Sequence, residues 1–263
     1  MIKSLDGLNS LVLFLGLTWF SIWGVSYLHI DSLPIPDYWR AIVYHFTCGV
    51  LWYLSIRLFV PRVRGRFIWR MSSKTLLVGL FVIAFFDSPN FQDAPWSNYS
   101  IQTIASALFF ALGIGFNEDL FSRGLIFGLF EKYGYGVAAL ISSIHFGMLH
   151  LTNYFWGGQS FSYTAGQMVN AGAFGFLCAG LMIFSGSIWL PVLLHGLSDF
   201  PLQLQPLHEF TAQVKGGSDW PAILIQAAIY IAAGAILLYW RNEKARGRFL
   251  SIASHFGLIE STA

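Results

Sequence analysis

Long apolar segments recur along almost the whole sequence. A spanning helix needs about 20 mostly apolar residues, because a rise of ~1.5 Å per residue must cross ~30 Å of hydrocarbon. The segments that approach this length are Asn9–Ile30, Tyr38–Val60, Lys74–Phe86, Ile101–Tyr133, Val137–Phe155, Met168–Phe184, Ile188–Gln205 and Pro221–Trp240. The sequence therefore predicts an all-α, polytopic membrane protein with about eight transmembrane helices in one bundle. It also predicts that residues 1–263 form a single integral-membrane domain.

The composition favours this class and disfavours others. Hydrophobic residues make up 56% of the chain and charged residues only 11%, whereas about 25% of an average soluble domain is charged. A soluble domain of this size needs more charge to cover its surface, so a water-soluble domain, a disordered chain and a nucleic-acid-binding protein are all disfavoured. We therefore expect the lipid bilayer as a partner and no nucleic acid, while the oligomeric state stays open.

The basic residues predict the orientation of the chain. Five Lys and Arg residues lie in residues 61–74, and four follow Trp240. Lys and Arg accumulate on the cytoplasmic side of membrane proteins. With eight spans, placing both segments there gives 12 basic and 4 acidic residues on the cytoplasmic side, against two basic and six acidic residues outside. The sequence thus predicts a multi-pass protein of the plasma (inner) membrane with both termini in the cytoplasm.

Four charged residues remain inside the predicted spans: Glu118, Asp119, Arg123 and Asp199. An ionisable side chain in a bilayer is costly and points to a function unless a partner neutralises it. Asp119 and Arg123 are four residues apart with the acid first, which favours a helical ion pair and a structural role. Glu118 points ~100° away from Asp119 around the helix and has no local counter-charge. Glu118 is therefore a candidate functional residue.

Histidines on two later spans are candidate partners for Glu118. One span contains the pattern Phe146-x-x-x-His150, and another contains His195 four residues before Asp199. Residues four apart share a helix face, so Asp199 and His195 can orient each other or converge on one bound group. The sequence therefore predicts a polar centre among the fourth, fifth and seventh helices.

These residues resemble the motifs of the CAAX protease and bacteriocin-processing family, which includes the Ras-converting CAAX endopeptidase. The family motifs E-E-x-x-x-R, F-x-x-x-H and H-x-x-x-(N/D) correspond in order to Glu118-Asp119-x-x-x-Arg123, Phe146-x-x-x-His150 and His195-x-x-x-Asp199. Each motif is weak alone, but three in order on separate spans are specific. The resemblance covers about residues 116–200. Asp119 stands where the family usually has a second glutamate.

The resemblance implies an intramembrane endopeptidase acting on a membrane-associated polypeptide, such as one with a prenylated CAAX-type end. It implies that Glu118 and His150 activate a water molecule and that His195 and Asp199 stabilise the oxyanion. An oxyanion needs hydrogen-bond donors. His195 can serve directly, whereas Asp199 can donate only when protonated and otherwise orients His195. The supporting residues implied by the same motifs are Asp119, Arg123 and Phe146.

Other functions remain open at this point. A zinc protease could use one carboxylate and two histidines as ligands and keep an open coordination position. The sequence has no H-E-x-x-H helix, so we predict no metal or other cofactor. A non-catalytic scaffold or immunity protein could keep the same fold. A proton-relay transporter is less favoured, because the sequence shows no inverted repeat.

Overall fold

The computed structural model describes residues 7–22, 37–67, 72–86, 91–92, 94–204 and 212–241. Its helices are α1 (Gly7–Ile22), α2 (Asp37–Phe59), α3 (Ser73–Phe86), α4 (Ile101–Asp119), α5 (Phe127–Phe130), α6 (Tyr135–Leu149), α7 (Leu151–Phe155), α8 (Phe161–Ser185), α9 (Trp189–Asp199) and α10 (Trp220–Arg241). A π-helical segment, Leu120–Ile126, joins α4 to α5. Short 3-10 helices occur at Pro61–Phe67, Trp96–Asn98, Glu131–Tyr133 and Pro201–Leu204. No strand occurs in these ranges, so the all-α prediction is confirmed.

Five helices in the described ranges are long and apolar enough to cross a membrane. They are Trp39–Phe59, Ile101–Tyr133, Tyr135–Phe155, Phe161–Ser185 and Trp220–Trp240. The second runs continuously for 33 residues from α4 through the π-helical segment and α5, and the third joins α6 to α7. The protein is an integral membrane protein, as predicted. The predicted number of eight spans is not confirmed, because the described parts of α1 and α3 have 16 and 14 residues and α9 has 11. Residues 23–30 of the first predicted span lie outside the described residues.

Close contacts between helix backbones hold together the helices that carry the predicted polar centre. α4 packs against α2 and α9, and α8 packs against α6 and α10. A Cβ atom at Gly115 in α4 would lie 2.5 Å from the carbonyl oxygen of Val192 and 2.8 Å from the amide nitrogen of Gly196, both in α9. A Cβ atom at Gly147 in α6 would lie 2.5 Å from the carbonyl oxygen of Met168 in α8. Backbone atoms cannot turn aside as side chains do, so these positions require glycine.

One end of the bundle is closed by apolar packing and polar contacts. We call the end formed by residues 57–67, 131–139 and 182–189 the basic end. Its core contains Val60, Val63, Ala138, Ala139, Met182, Ile183 and Ile188, each at most 4% exposed, and Leu129 packs against it from α5. Arg66 forms an ion pair with Glu131, and the amide of Ile188 donates to the Arg66 carbonyl at 2.9 Å. Lys132 Nζ donates to Ser10 Oγ at 3.0 Å. These contacts join four separate segments of the chain.

Replacement of Gly115 by alanine is expected to destabilise the protein by about 1–3 kcal/mol, the usual cost of overpacking. The added methyl group would meet the α9 backbone, which cannot give way. Thermal unfolding of the purified protein in detergent measures the change. Gly16→Ala in α1 is the matched control, since no atom lies within 4 Å of the added Cβ there. Equal stability of Gly115→Ala and the unmodified protein would contradict the close approach of α4 and α9.

Candidate active site

The predicted site residues meet where α4, α6 and α9 face one another. Glu118 and Asp119 are the last two residues of α4, His150 lies between α6 and α7, and His195 and Asp199 lie in α9. The four predicted catalytic residues, Glu118, His150, His195 and Asp199, line one cavity of about 540 Å³ together with Phe146. The predicted polar centre among these helices is therefore confirmed, while the catalytic roles of its residues stay predictions.

The chain changes from α-helix to π-helix directly after Glu118 and Asp119. The π-helical segment Leu120–Ile126 contains Arg123, and all seven of its residues are buried. π-helical turns are rare and occur frequently at functional sites. Their wider turn changes which side chains share a face of the helix. The sequence predicts an ordinary continuous helix here, so this local geometry is a finding of the structure.

Asp119 contacts a cation on its own helix and an imidazole on another. Its Oδ1 lies 3.2 Å from Nε of Arg123, and both side chains are fully buried. Its Oδ2 accepts a hydrogen bond of 2.8 Å from Nδ1 of His195. The predicted ion pair is confirmed. Asp119 also orients His195, a contact that residue spacing did not predict.

Arg123 lies between Asp119, an aromatic ring and a helix backbone. Its Cζ lies 4.1 Å from the centroid of the Phe146 ring, which is the geometry of a cation–π contact. A Cβ atom at Gly175 in α8 would lie only 2.7 Å from Nη2 of Arg123. Glycine at position 175 therefore makes room for the guanidinium. Arg123 balances the charge of Asp119 and packs against Phe146.

Phe146 contacts the rings of both site histidines. Its centroid lies 5.0 Å from that of His150 and 5.7 Å from that of His195, each edge to face. Nδ1 of His150 also hydrogen-bonds the carbonyl oxygen of Phe146 at 3.0 Å. Because a carbonyl oxygen can only accept, Nδ1 of His150 carries a proton, and in the neutral ring Nε2 is the acceptor. Phe146 therefore packs against the rings of both His150 and His195.

The second nitrogen of His195 faces two carboxyl groups. Nε2 lies 3.7 Å from Oε2 of Glu118 and 3.6 Å from Oδ2 of Asp199. The side chains of Glu118 and Asp199 are 31% and 26% exposed, whereas that of His195 is 7% exposed. The carboxyl groups thus face the cavity and the imidazole lies in its wall. Such a group of acids and bases around one cavity can move protons to and from a bound water.

Asn117, directly before Glu118, is a cavity residue that the sequence analysis missed. Its Oδ1 accepts a hydrogen bond of 2.8 Å from Nε1 of Trp52, and its Nδ2 lies 3.1 Å from Nδ1 of His45. An indole nitrogen can only donate, so the amide orientation is fixed and Asn117 donates to His45. These bonds tie α4 to α2 beside Glu118. The one clue in the sequence was an amide inside an apolar span.

A second cavity of about 600 Å³ adjoins the first. The residues lining both cavities are Phe146, His150, Gln167, His195 and Asp199. The rest of its lining comes mainly from α8, α10 and residues 213–219, and Glu118 lines only the first cavity. The histidines and Asp199 therefore lie between two spaces. This arrangement gives room for a polypeptide on either side of a reacting bond.

A zinc ion at this site would need ligands from Glu118, His150, His195 or Asp199. Within the described ranges, no three His, Cys, Asp or Glu side chains are arranged as a metal-binding group. The prediction of a site without a cofactor stays a prediction.

The comparison with protein families matches the helices that form the site. The model for Rce1-like proteins, described as type II CAAX prenyl endopeptidases, matches residues 100–201. These residues form an Rce1-like domain. It contains all seven predicted site residues, and the resemblance inferred from the three motifs is confirmed. No curated protein and no solved structure matches the chain significantly. The Rce1-like domain supports a CAAX-type intramembrane protease as the general class of this protein.

A double-mutant cycle tests the buried ion pair of the Rce1-like domain. Asp119→Leu and Arg123→Met are each expected to cost about 3–5 kcal/mol, because each leaves a buried charge without its partner. The double variant should lose much less than the sum of the two, since no uncompensated charge remains. Thermal unfolding in detergent measures the three changes, with the exposed Arg57→Met as control. Strictly additive losses would show that the two side chains do not interact.

Proposed function

We propose that the protein is an intramembrane endopeptidase that hydrolyses a peptide bond of a membrane-associated polypeptide. The supporting observation is that Glu118, His150, His195 and Asp199, all within the Rce1-like residues 100–201, line one cavity. The description of that family makes a prenylated CAAX-type polypeptide the first substrate class to test. From the distribution of basic residues, we also propose the plasma (inner) membrane as its location, with both termini in the cytoplasm.

Glu118 and His150 activate the attacking water in the proposed mechanism. The Glu118 carboxylate is accessible from the cavity, and Nε2 is the acceptor nitrogen of the neutral His150 ring. The carboxylate takes a proton from the water while the water oxygen attacks the carbonyl carbon of the scissile bond. The tetrahedral oxyanion then collapses and the C–N bond breaks. The same proton passes to the leaving nitrogen, so Glu118 returns to its starting form.

His195 and Asp199 stabilise the oxyanion that forms on the carbonyl oxygen. A donor held in place before the reaction is worth about 3–4 kcal/mol in the transition state. The bond from Nδ1 to Asp119 restrains the His195 ring and leaves Nε2 directed at the carboxyl groups in the cavity. In its doubly protonated form, His195 keeps the Nδ1–H bond to Asp119 and donates a hydrogen bond from Nε2 to the oxyanion. When protonated, Asp199 donates a second hydrogen bond to the oxyanion. When ionised, it holds the His195 imidazole from the cavity side.

Glu118→Gln is expected to reduce peptide cleavage by about 10²–10⁴-fold, the usual contribution of a general base. The amide keeps the size of the side chain but cannot take a proton from water. Cleavage is measured on the purified protein with a farnesylated peptide ending in a CAAX sequence, and in parallel with a bacteriocin-leader peptide. Glu131→Gln is the matched control, because Glu131 lies on the same continuous helix but at the basic end.

Comparing the two variants distinguishes a loss of catalysis from a loss of folding. Both should elute as monodisperse protein. Glu118→Gln should unfold at a temperature no lower than that of Glu131→Gln, which loses the charge of the Arg66 ion pair. Cleavage by Glu118→Gln at the rate of Glu131→Gln would overturn the glutamate mechanism. Preferential cleavage of the leader peptide would keep the proposed reaction and replace the CAAX substrate class.

We propose that the reaction needs no metal ion. Peptide cleavage should stay unchanged after dialysis of the purified protein against a strong chelator and transfer to metal-free buffer. Metal analysis of the same sample checks that any bound ion was removed. Loss of cleavage that zinc restores would instead favour a zinc protease with Nε2 of His150 and His195 as ligands, because both Nδ1 atoms already have hydrogen-bond partners.

A further inference from the structure

Both cavities extend from the site toward the same end of the bundle. The first is lined there by Thr152, Asn153 and Trp156 and by the end of α1 at Ser21 and Ile22. The second is lined by residues that precede α10, including Gln213, Ser218 and Asp219. We call the end formed by residues 21–22, 151–163 and 212–220 the non-basic end.

Hydrogen bonds hold the segments of the non-basic end together. The amide of Ser160 donates to the carbonyl oxygen of Val214 at 2.9 Å, and Oγ of Ser218 donates to the carbonyl oxygen of Ser162 at 2.8 Å. The start of α8 therefore lies beside the start of α10. Because α6 and α7 run antiparallel to α8 through a short connection, α7 lies at this end as well.

The opposite direction is blocked by the packed core. No described residue of the basic end lines either cavity. His150 lies five residues from the end of its continuous helix at Phe155 but 15 residues from its start at Tyr135. Between the site and the basic end lie buried side chains such as Leu125 and Phe127, both 0% exposed. A polypeptide could pass there only by opening this core.

The lining of the second cavity suits a polypeptide backbone. An extended chain carries N–H and C=O groups that need partners once they leave water. Amide side chains line this cavity at Gln167, Asn170, Gln213 and Gln226. Oδ1 of Asn170 is buried and has no hydrogen-bond partner among the described residues. A backbone N–H in the cavity would supply one.

These observations, together with the proposed function on which the inference rests, lead to a substrate class. We propose that the substrate enters the site from the non-basic end, which the basic residues place on the extracytoplasmic side. The substrate is then a membrane-anchored polypeptide whose scissile bond lies in the outer part of the bilayer or just above it. A bond in the cytoplasm, including that of a CAAX sequence prenylated there, would not reach Glu118 and His150 through the closed basic end. The proposed route therefore keeps the proposed hydrolysis but replaces the CAAX substrate class.

Cysteine labelling tests this route without depending on hydrolysis. The full chain with Cys48→Ala and Cys178→Ala, which removes both native thiols, receives one cysteine at a time. Ser198→Cys reports the site, since Ser198 precedes Asp199 and lines the second cavity. Gln213→Cys reports the non-basic end. Gly65→Cys reports the basic end, where an added Cβ meets no atom within 4 Å.

A small membrane-impermeant methanethiosulfonate is applied to spheroplasts of a bacterial host and to inverted membrane vesicles. We expect Ser198→Cys and Gln213→Cys to react in spheroplasts and to lose that labelling in sealed inverted vesicles. Gly65→Cys should show the reverse pattern. Labelling after denaturation in detergent gives the full reactivity of each thiol, and thermal unfolding checks that each variant is folded.

The proposed route would be overturned if folded Ser198→Cys reacted from the side of the membrane on which Gly65→Cys reacts. Reaction from both sides or from neither side would overturn it as well. Labelling of Gly65→Cys in intact spheroplasts would overturn the extracytoplasmic assignment. Failure of the proposed function appears separately, as absence of peptide cleavage in detergent with the labelling pattern unchanged. If cleavage occurs, peptide added outside sealed vesicles should be hydrolysed only when the Gln213 side faces outward.

Discussion

The buried carboxylate of Asp119 is the constraint on which the arrangement of the site depends. An ionised group among apolar helices is tolerated only with a counter-charge and hydrogen bonds. Arg123 supplies the charge and His195 supplies the hydrogen bond. Because Arg123 also lies over Phe146 and against α8 at Gly175, one ion pair fixes the relative positions of α4, α6, α8 and α9.

The glycine contacts make this arrangement possible. Polar atoms on different helices reach hydrogen-bonding distance only if the backbones come close, and Gly115 with Gly196 and Gly147 with Gly172 provide such approaches. The remaining large apolar side chains then fill the basic end and leave the opposite end with cavities. Among the described residues, the packing that positions the imidazoles therefore also places both cavities toward the non-basic end, which is the observation behind the proposed route of access.

Much of the site could be predicted from the sequence, because charges inside a bilayer are few and helical spacing pairs Asp119 with Arg123. The bond between Asp119 and His195 could not, since it joins residues 76 positions apart. The start of α8 was also wrong: the helix begins at Phe161 and not at Met168. Polar residues in this first part of the helix, such as the fully buried Thr164, pack inside the bundle. The prediction used mean hydropathy, which does not show whether a side chain faces the lipid or the inside of the bundle.

Asp119 both neutralises the charge of Arg123 and orients a residue of the proposed catalytic site. Spacing alone assigned this residue to charge balance, yet its second oxygen holds the imidazole proposed to bind the oxyanion. The family usually has the longer glutamate at this position. The shorter aspartate here meets Nε, the guanidinium nitrogen nearest the backbone, and leaves the rest of the guanidinium over the Phe146 ring. Because that ring in turn contacts His150 and His195, the length of one acidic side chain influences the positions of both site histidines.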